Sequence, residues 1–283
     1  MKKVLVLDFD GTMTDAEAEG APFRQGYLED IAVLTGLGLP ETLRLAERFE
    51  AEVAANPQDF GWVFNGRIVA PATVDPYLRI MPVARRIFEH TGTFTSEQDR
   101  TRLLDGILYK YNYKKTRIAF RQGALECLLA LGDIPDLYTC VVTNSHTEAV
   151  QDKLRVLGGP DGALDWLVAR VHGRASKYVL DEAWTGVEAE LQLPGLSRPV
   201  LLRRRNYHDV LESLLAGFSL SWSALTVVGD IFELDLCLPQ AMGARVGLVA
   251  NAHTPAYERA WLNASEGGRV LLALDELPAF VTD

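Results

Sequence analysis

The chain has 283 residues, 48% hydrophobic and 23% charged. This is ordinary globular usage, which excludes a disordered chain, a collagen-like repeat and a disulfide scaffold; the length sets a prior of about two domains. The formal net charge of −10 argues against general nucleic-acid or anionic-membrane binding, since both need a basic footprint, but a local group of cations can still hold a small anionic substrate.

The first structural signal is residues 4–7, Val-Leu-Val-Leu, followed at once by Asp8-Phe9-Asp10-Gly11-Thr12. Continuous rather than alternating apolarity predicts a strand buried on both faces, as in parallel sheets. The run is too short for the apolar region of a secretory signal, and no stretch approaches the ~20 apolar residues of a membrane span. Cys127, Cys140 and Cys237 show no C-x-x-C spacing and read as buried thiols in a reducing compartment. These features together predict a cytoplasmic protein.

Residues 16–121 contain no comparable strand run. Amphipathic stretches at 43–53, 83–90 and 99–113 are separated by breakers such as Gly36, Asn56-Pro57 and Gly92. This is too much helix for a simple crossover, so 16–120 reads as an inserted α-helical domain, with hinges near residues 15–22 and 120–123.

Beyond it the alternation of strand and helix resumes. Apolar strands are expected at 137–142, 225–228 and 244–249, with another at 269–274. Helical patterns cover 124–131, 207–215 and 236–242. The expected fold is therefore α/β, a Rossmann-like doubly wound parallel sheet formed by residues 1–15 and 121–283, with an inserted α-helical domain.

Polar residues cluster just past three of the strands, at the edge where open α/β sheets bind ligands. Asp8 and Asp10 stand at i and i+2 and share one face of the extended chain. Their mutual repulsion is relieved by a cation, and one or two carboxylates suit Mg²⁺. Gly11 permits a sharp turn, and the Thr12 hydroxyl can bond an anion or a carboxylate. Thr143-Asn144-Ser145 closes a second strand; Gly229-Asp230 closes a third, with Asp235 five residues on. Together these supply a metal site, a nucleophile and oxyanion donors.

Asp8-Phe9-Asp10-Gly11-Thr12 resembles motif I (D-x-D-G-T) of the haloacid dehalogenase (HAD) superfamily. Val141-Val142-Thr143-Asn144 resembles its motif II, and residues 229–235 its motif IV (G-D-x-x-x-x-D). The resemblance implies a Mg²⁺-dependent phosphatase that hydrolyses a small phosphorylated metabolite, with the inserted helical domain at 16–120 as its cap domain. In that scheme Asp8 is the nucleophile that forms an aspartyl-phosphate, and Asp10 is the general acid and base. Mg²⁺ is held by the Asp8 and Asp230 carboxylates and the Asp10 carbonyl. Thr143 and the backbone near Asn144 hold phosphoryl oxygens, and Asp235 orders metal waters or the motif III cation. That cation is either Lys177 or one of Arg203, Arg204 and Arg205, of which Arg204 is the arginine chosen. Asp10 favours phosphoryl transfer over dehalogenation, because the superfamily's dehalogenases lack an acid there. A phosphomutase, or a catalytically idle protein that binds a phosphorylated ligand, remains the alternative. Neither the oligomeric state nor the particular phosphomonoester follows from these residues.

Overall fold

A computed structural model of the chain describes residues 3–283. Six parallel strands form its central sheet, in the order β10-β9-β8-β1-β4-β5. They are β1 (Lys3–Leu7), β4 (Leu137–Val142), β5 (Val171–His172), β8 (Leu225–Gly229), β9 (Arg245–Val249) and β10 (Gly268–Leu271). All but the two-residue β5 fall on or beside an expected apolar run, and the β/α alternation makes the fold the doubly wound α/β class read from the sequence. The last run ends earlier than expected, at Leu271, and a 3₁₀ turn occupies Leu274–Glu276.

Continuous apolarity has the predicted cause, since both faces of the sheet are covered. Val4, Val6, Cys140, Val142 and Val227 point into one layer, with Tyr207, Leu211 and Leu215 of α9 (Arg205–Ala216). Leu5, Leu7, Val141 and Val228 point into the other. There they meet α6 (Ala124–Gly132), α7 (Thr147–Gly158), α8 (Asp165–Val168) and α12 (Leu277–Thr282). The three cysteines are buried and free. The remaining helices of this part are α10 (Cys237–Ala241), preceded by a π-helical turn at Phe232–Leu236, and α11 (Ala256–Ala264).

The chain divides into two compact units. One comprises Met1–Asp15, Phe64–Ala70 and Phe120–Asp283; the other comprises Ala16–Val63 and Pro71–Ala119. The second unit packs α1 (Ala16–Thr35), α2 (Leu39–Ala55) and α3 (Pro76–Thr91) with α4 (Glu97–Thr101), a π-helical stretch at Arg102–Tyr109 and α5 (Lys110–Tyr113). Phe23, Ile31, Phe49, Ile80 and Phe88 lie in its own apolar core.

Two features of this region depart from the sequence reading. Residues 60–71, which carry no strand signal, form a hairpin of β2 (Gly61–Phe64) and β3 (Arg67–Pro71), and its tip belongs to the first unit. Gly20 and Pro22, read as hinge breakers, lie inside α1. Proline removes an N–H and frees the carbonyl four residues back. Here the Ala18 carbonyl accepts a hydrogen bond from Arg117 Nε at 3.3 Å, so the helix continues. Gly20 instead allows close packing, because a Cβ there would lie 2.8 Å from Pro76 Cγ.

The segment between Lys177 and Arg204 is an accessory element of the first unit. It contains an antiparallel pair, β6 (Glu190–Leu191) and β7 (Val200–Leu201). Arg67 at the hairpin tip pairs with Glu182 and Glu190. Arg198 donates from both terminal nitrogens to the buried Glu233 carboxylate, at 2.7 Å each.

Gly247 on β9 lets α12 approach the sheet closely. A Cβ would lie 2.8 Å from Phe280 Cε1 and 3.2 Å from Val228 Cγ2. Overpacking of this kind costs about 1–3 kcal/mol. Gly247→Val is expected to lower the urea midpoint correspondingly with little change in slope; an unchanged midpoint would show that the helix yields freely.

Candidate active site

The strand order assembles the site. β1 lies between β4 and β8, in parallel register with both, so the residues after the three strands emerge side by side. Chain direction across the sheet reverses at β1, and such a switch point opens a crevice at the carboxyl ends of the strands. Asp8 follows β1, Thr143 follows β4 and Asp230 follows β8.

The turn after β1 is held by its own backbone. Met13 and Thr14 N–H groups donate to the Phe9 carbonyl, at 2.8 and 3.2 Å, and the Gly11 N–H donates to Thr14 Oγ1 at 2.9 Å. Gly11 has φ of +83°, and a Cβ there would fall 2.2 Å from Asp230 Oδ2. Both conformation and space therefore require glycine. Arg121 secures the turn from outside, donating Nε to the Gly11 carbonyl at 2.8 Å. Burial lowers the Arg121 pKa, and Asp230 opposes that shift.

Asp8, Asp230 and Asp235 are all buried, and one carboxylate oxygen from each lies within 4.8 Å of the others. Lys177 stands among them. Its Nζ donates to Asp8 Oδ1 at 2.7 Å and to Asp235 Oδ1 at 2.8 Å, and only 1% of its side chain is exposed. Burial opposes the ammonium charge, but Asp235 and Asp8 outweigh it and raise the Lys177 pKa. Burial pushes the Asp8 carboxyl up to about 7 against the pull of Lys177, and Asp235 adds to the rise. The Thr12 hydroxyl lies 3.2 Å from Asp8 Oδ2 and 3.4 Å from Asp230 Oδ1, so its single proton is shared between the two carboxylates. Asp235 is fixed in turn: its Oδ2 accepts from the Ile231 N–H at 3.1 Å, and its carbonyl accepts from the Tyr207 hydroxyl at 3.0 Å. Its side chain covers Gly229, where a Cβ would lie 2.5 Å from Asp235 Cβ.

The loop that carries Lys177 is laced to the loop after β4. Gly173 N–H donates to Thr147 Oγ1, Arg174 N–H to the Ser145 carbonyl, Ala175 N–H to the Thr143 carbonyl, and Lys177 N–H to Asn144 Oδ1. Arg174 and Ser176 adopt positive φ, 56° and 50°, a rare state for residues with side chains. Asn144 thus holds the lysine backbone, and Thr143 Oγ1 accepts from the Ser145 N–H at 3.1 Å.

Of the motif III candidates, only Lys177 meets Asp8. Arg204 is fully buried, but its guanidinium donates to the carbonyls of Leu201, Lys177 and Val69. It braces the lysine loop and strand β3 and makes no hydrogen bond to the carboxylates. Of the alternatives left open, Arg204 as the cation beside Asp8 is corrected on this ground: its donors go to backbone carbonyls. Arg203 donates to the Glu182 carbonyl, and Arg205 lies at the surface beside Asp181 and Asp209.

Asp10 is partly exposed. Its Oδ1 accepts from Lys153 Nζ at 2.7 Å, and its Oδ2 from Ser145 Oγ at 2.5 Å. Lys153 is not a candidate from the sequence, and Ser145 enters only as part of the Thr143-Asn144-Ser145 cluster. Ser145 adjoins the quoted Thr-Asn pair and was within reach of that reading, whereas Lys153 is one cation among many on a helix face.

The fit to a divalent cation follows from this donor set. Three buried carboxylates crowd together, and the Lys177 ammonium bonds two of them, which gathers hard oxygen donors and negative charge at one point. The residues present suit such an ion.

No protein-family model matches the sequence, and no curated protein matches it. Solved structures do. The chain is similar to a predicted phosphoglycolate phosphatase of Haemophilus somnus, with TM-score 0.56 and 14% identity over 100% of this chain and 98% of that one. It is similar to a haloacid dehalogenase-like protein of unknown function from Agrobacterium tumefaciens, at 0.53 and 15%, covering 100% and 98%. It also resembles YfnB of Bacillus subtilis, assigned to the HAD hydrolases and bound to magnesium, at 0.52 and 13%, covering 100% and 99%. A six-stranded sheet with this order, three carboxylates gathered at its edge and these full-length likenesses lead to one conclusion: the chain carries the haloacid dehalogenase fold.

Proposed function

We propose that the chain is a HAD-superfamily enzyme, a Mg²⁺-dependent phosphatase that hydrolyses a small phosphorylated metabolite through an aspartyl-phosphate on Asp8. The observation that carries this reading is the pairing of buried Asp8 with Lys177 at 2.7 Å while a second aspartate, Asp10, stands two residues on with its own partners. The superfamily's dehalogenases lack that second acid, so the pair favours phosphoryl transfer.

Asp8 and Asp230 carboxylates and the Asp10 carbonyl would hold the metal. When bound, it would screen the charge gathered between phosphate and carboxylates. The chain's own residues account for the remaining chemistry. Asp8 attacks phosphorus, and the ester P–O bond breaks. Asp10 delivers its proton to the departing oxygen. Asp10 then takes a proton from water as that water attacks the aspartyl-phosphate, the bond to Asp8 breaks, and inorganic phosphate leaves. Lys177 offsets the negative charge that builds beside Asp8. The Thr143 hydroxyl already accepts from Ser145, so its own proton is available for a phosphoryl oxygen.

Four outcomes test the scheme. Chelation is expected to abolish phosphate release from a panel of sugar, nucleotide and short-acid monophosphates, with Mg²⁺ restoring it; full turnover in excess chelator contradicts the metal. Release without an added bisphosphate separates hydrolysis from a mutase reaction. Asp10→Asn, which keeps the backbone carbonyl, is expected to lower turnover by about 10²–10⁴-fold while Mg²⁺ binding measured by calorimetry is retained. Lys177→Ala is expected to cost about 10²–10³-fold in turnover, as loss of a charge-stabilising group typically does. Arg204→Met should instead show its main effect as a lower melting temperature. Equal losses of turnover in two equally stable variants would remove the distinction drawn between them.

A further inference from the structure

We propose that Lys153 is a positioning residue for Asp10, fixing the carboxylate in the orientation that its proton transfers require. The inference rests on the phosphatase reading and extends it to a residue outside the family's motifs.

About a third of the Asp10 side chain, 34%, is exposed, and a carboxylate beside water is ordinarily free to turn. Here each oxygen has its own donor, Lys153 Nζ on Oδ1 and Ser145 Oγ on Oδ2. Two donors from different directions define both the position and the plane of the group. Both donors are themselves anchored. Lys153 lies on α7, which is seated in the core by the fully buried Val150 and Leu154. Ser145 is held through its N–H by Thr143 Oγ1 and through its carbonyl by the Arg174 N–H.

Exposed ion pairs contribute little to stability, and this pair is only partly buried. Orientation is different, because a misplacement of about 1 Å near the reacting atoms can cost 10²-fold in rate. Lys153 is therefore expected to matter far more to the step that uses Asp10 as an acid than to folding. That step is selective. A poor leaving group, such as an alkoxide, needs the proton from Asp10, while p-nitrophenolate departs without much help.

The test compares kcat/KM on p-nitrophenyl phosphate and on glycerol phosphate, with Mg²⁺ saturating, for wild type, Lys153→Met, Lys153→Arg and Asp10→Asn. Crystal structures of wild type and Lys153→Met accompany the kinetics. Lys153→Met is expected to lose about 10-fold more on the alkyl ester than on the aryl ester, with Lys153→Arg recovering most of that difference. In the crystal, Asp10 of Lys153→Met is expected to leave its wild-type orientation. Equal losses on both esters, no loss on either, or an unmoved Asp10 would overturn the inference. If wild type hydrolyses neither ester, or Asp10→Asn behaves as wild type, the phosphatase reading falls instead, and the orientation of Asp10 in the two crystals decides the positioning role alone.

Discussion

Three carboxylates that repel one another share a buried site, and the Lys177 ammonium bonded to two of them makes that tolerable. Asp8, Asp230 and Asp235 each stay within 4.8 Å of the others, where removal from water penalises every charge and proximity penalises the set. Removing one partner from such an arrangement leaves an uncompensated charge, so the lysine's place must be fixed by more than its side chain. The structure does this through backbone. The Lys177 N–H is bound by Asn144 Oδ1, and its carbonyl by Arg204 Nη1 at 2.6 Å. The loops after β4 and before α9 therefore converge on one residue, and the crowding of acids sets the path of both.

The accessory segment follows from the same constraint. A minimal core would pass from the lysine directly into the helix before β8. Here residues 178–203 intervene, and they stay attached at several points: Asp181 N–H to the Arg203 carbonyl, Leu202 N–H to the Ala189 carbonyl, and Arg198 to Glu233. Glu233 also accepts from the Tyr257 hydroxyl at 2.8 Å. It lies between Asp230 and Asp235, so three donors on one carboxylate pin the turn that carries both acids. The extra segment thus supports the site from behind, although it places no side chain against Asp8.

Much of this was legible in the sequence because the physics is local. Residues 4–7 and 225–228 are apolar without alternation, and only a two-faced sheet buries them fully. The expectation that Asp8 and Asp10 share one face is corrected: β1 ends at Leu7 and Asp10 lies in the turn, so the strand alternation does not reach it and the two acids meet different partners. The choice between Lys177 and Arg204 was not legible, since it depends on where two distant loops meet. Both stood as candidates, and the Arg204 hydrogen bonds to three carbonyls separate them. Pro22 misled for a similar reason: a proline reads as a break until a distant donor, Arg117, satisfies the carbonyl it frees. The hairpin at 60–71 carries too few apolar residues in alternation to register as strand. Nothing in the sequence marks Lys153, whose bond to Asp10 depends on where α7 meets the turn after β1.

Asp8 and Asp10 belong to one tripeptide yet occupy opposite environments, and that contrast is what the surrounding fold achieves. Asp8 points inward and shares a buried ammonium with Asp235. Asp10 is one-third exposed and meets a lysine and a serine at the rim. Two carboxylates placed so differently are equipped for different work. The inner one is enclosed and set against a cation that can take up the charge of a bound phosphate. The outer one remains within reach of water, which suits the acid and base role proposed for it. Phe9 is buried in the layer shared with Leu5 and Leu7, and it anchors the tripeptide at its centre, between the two acids.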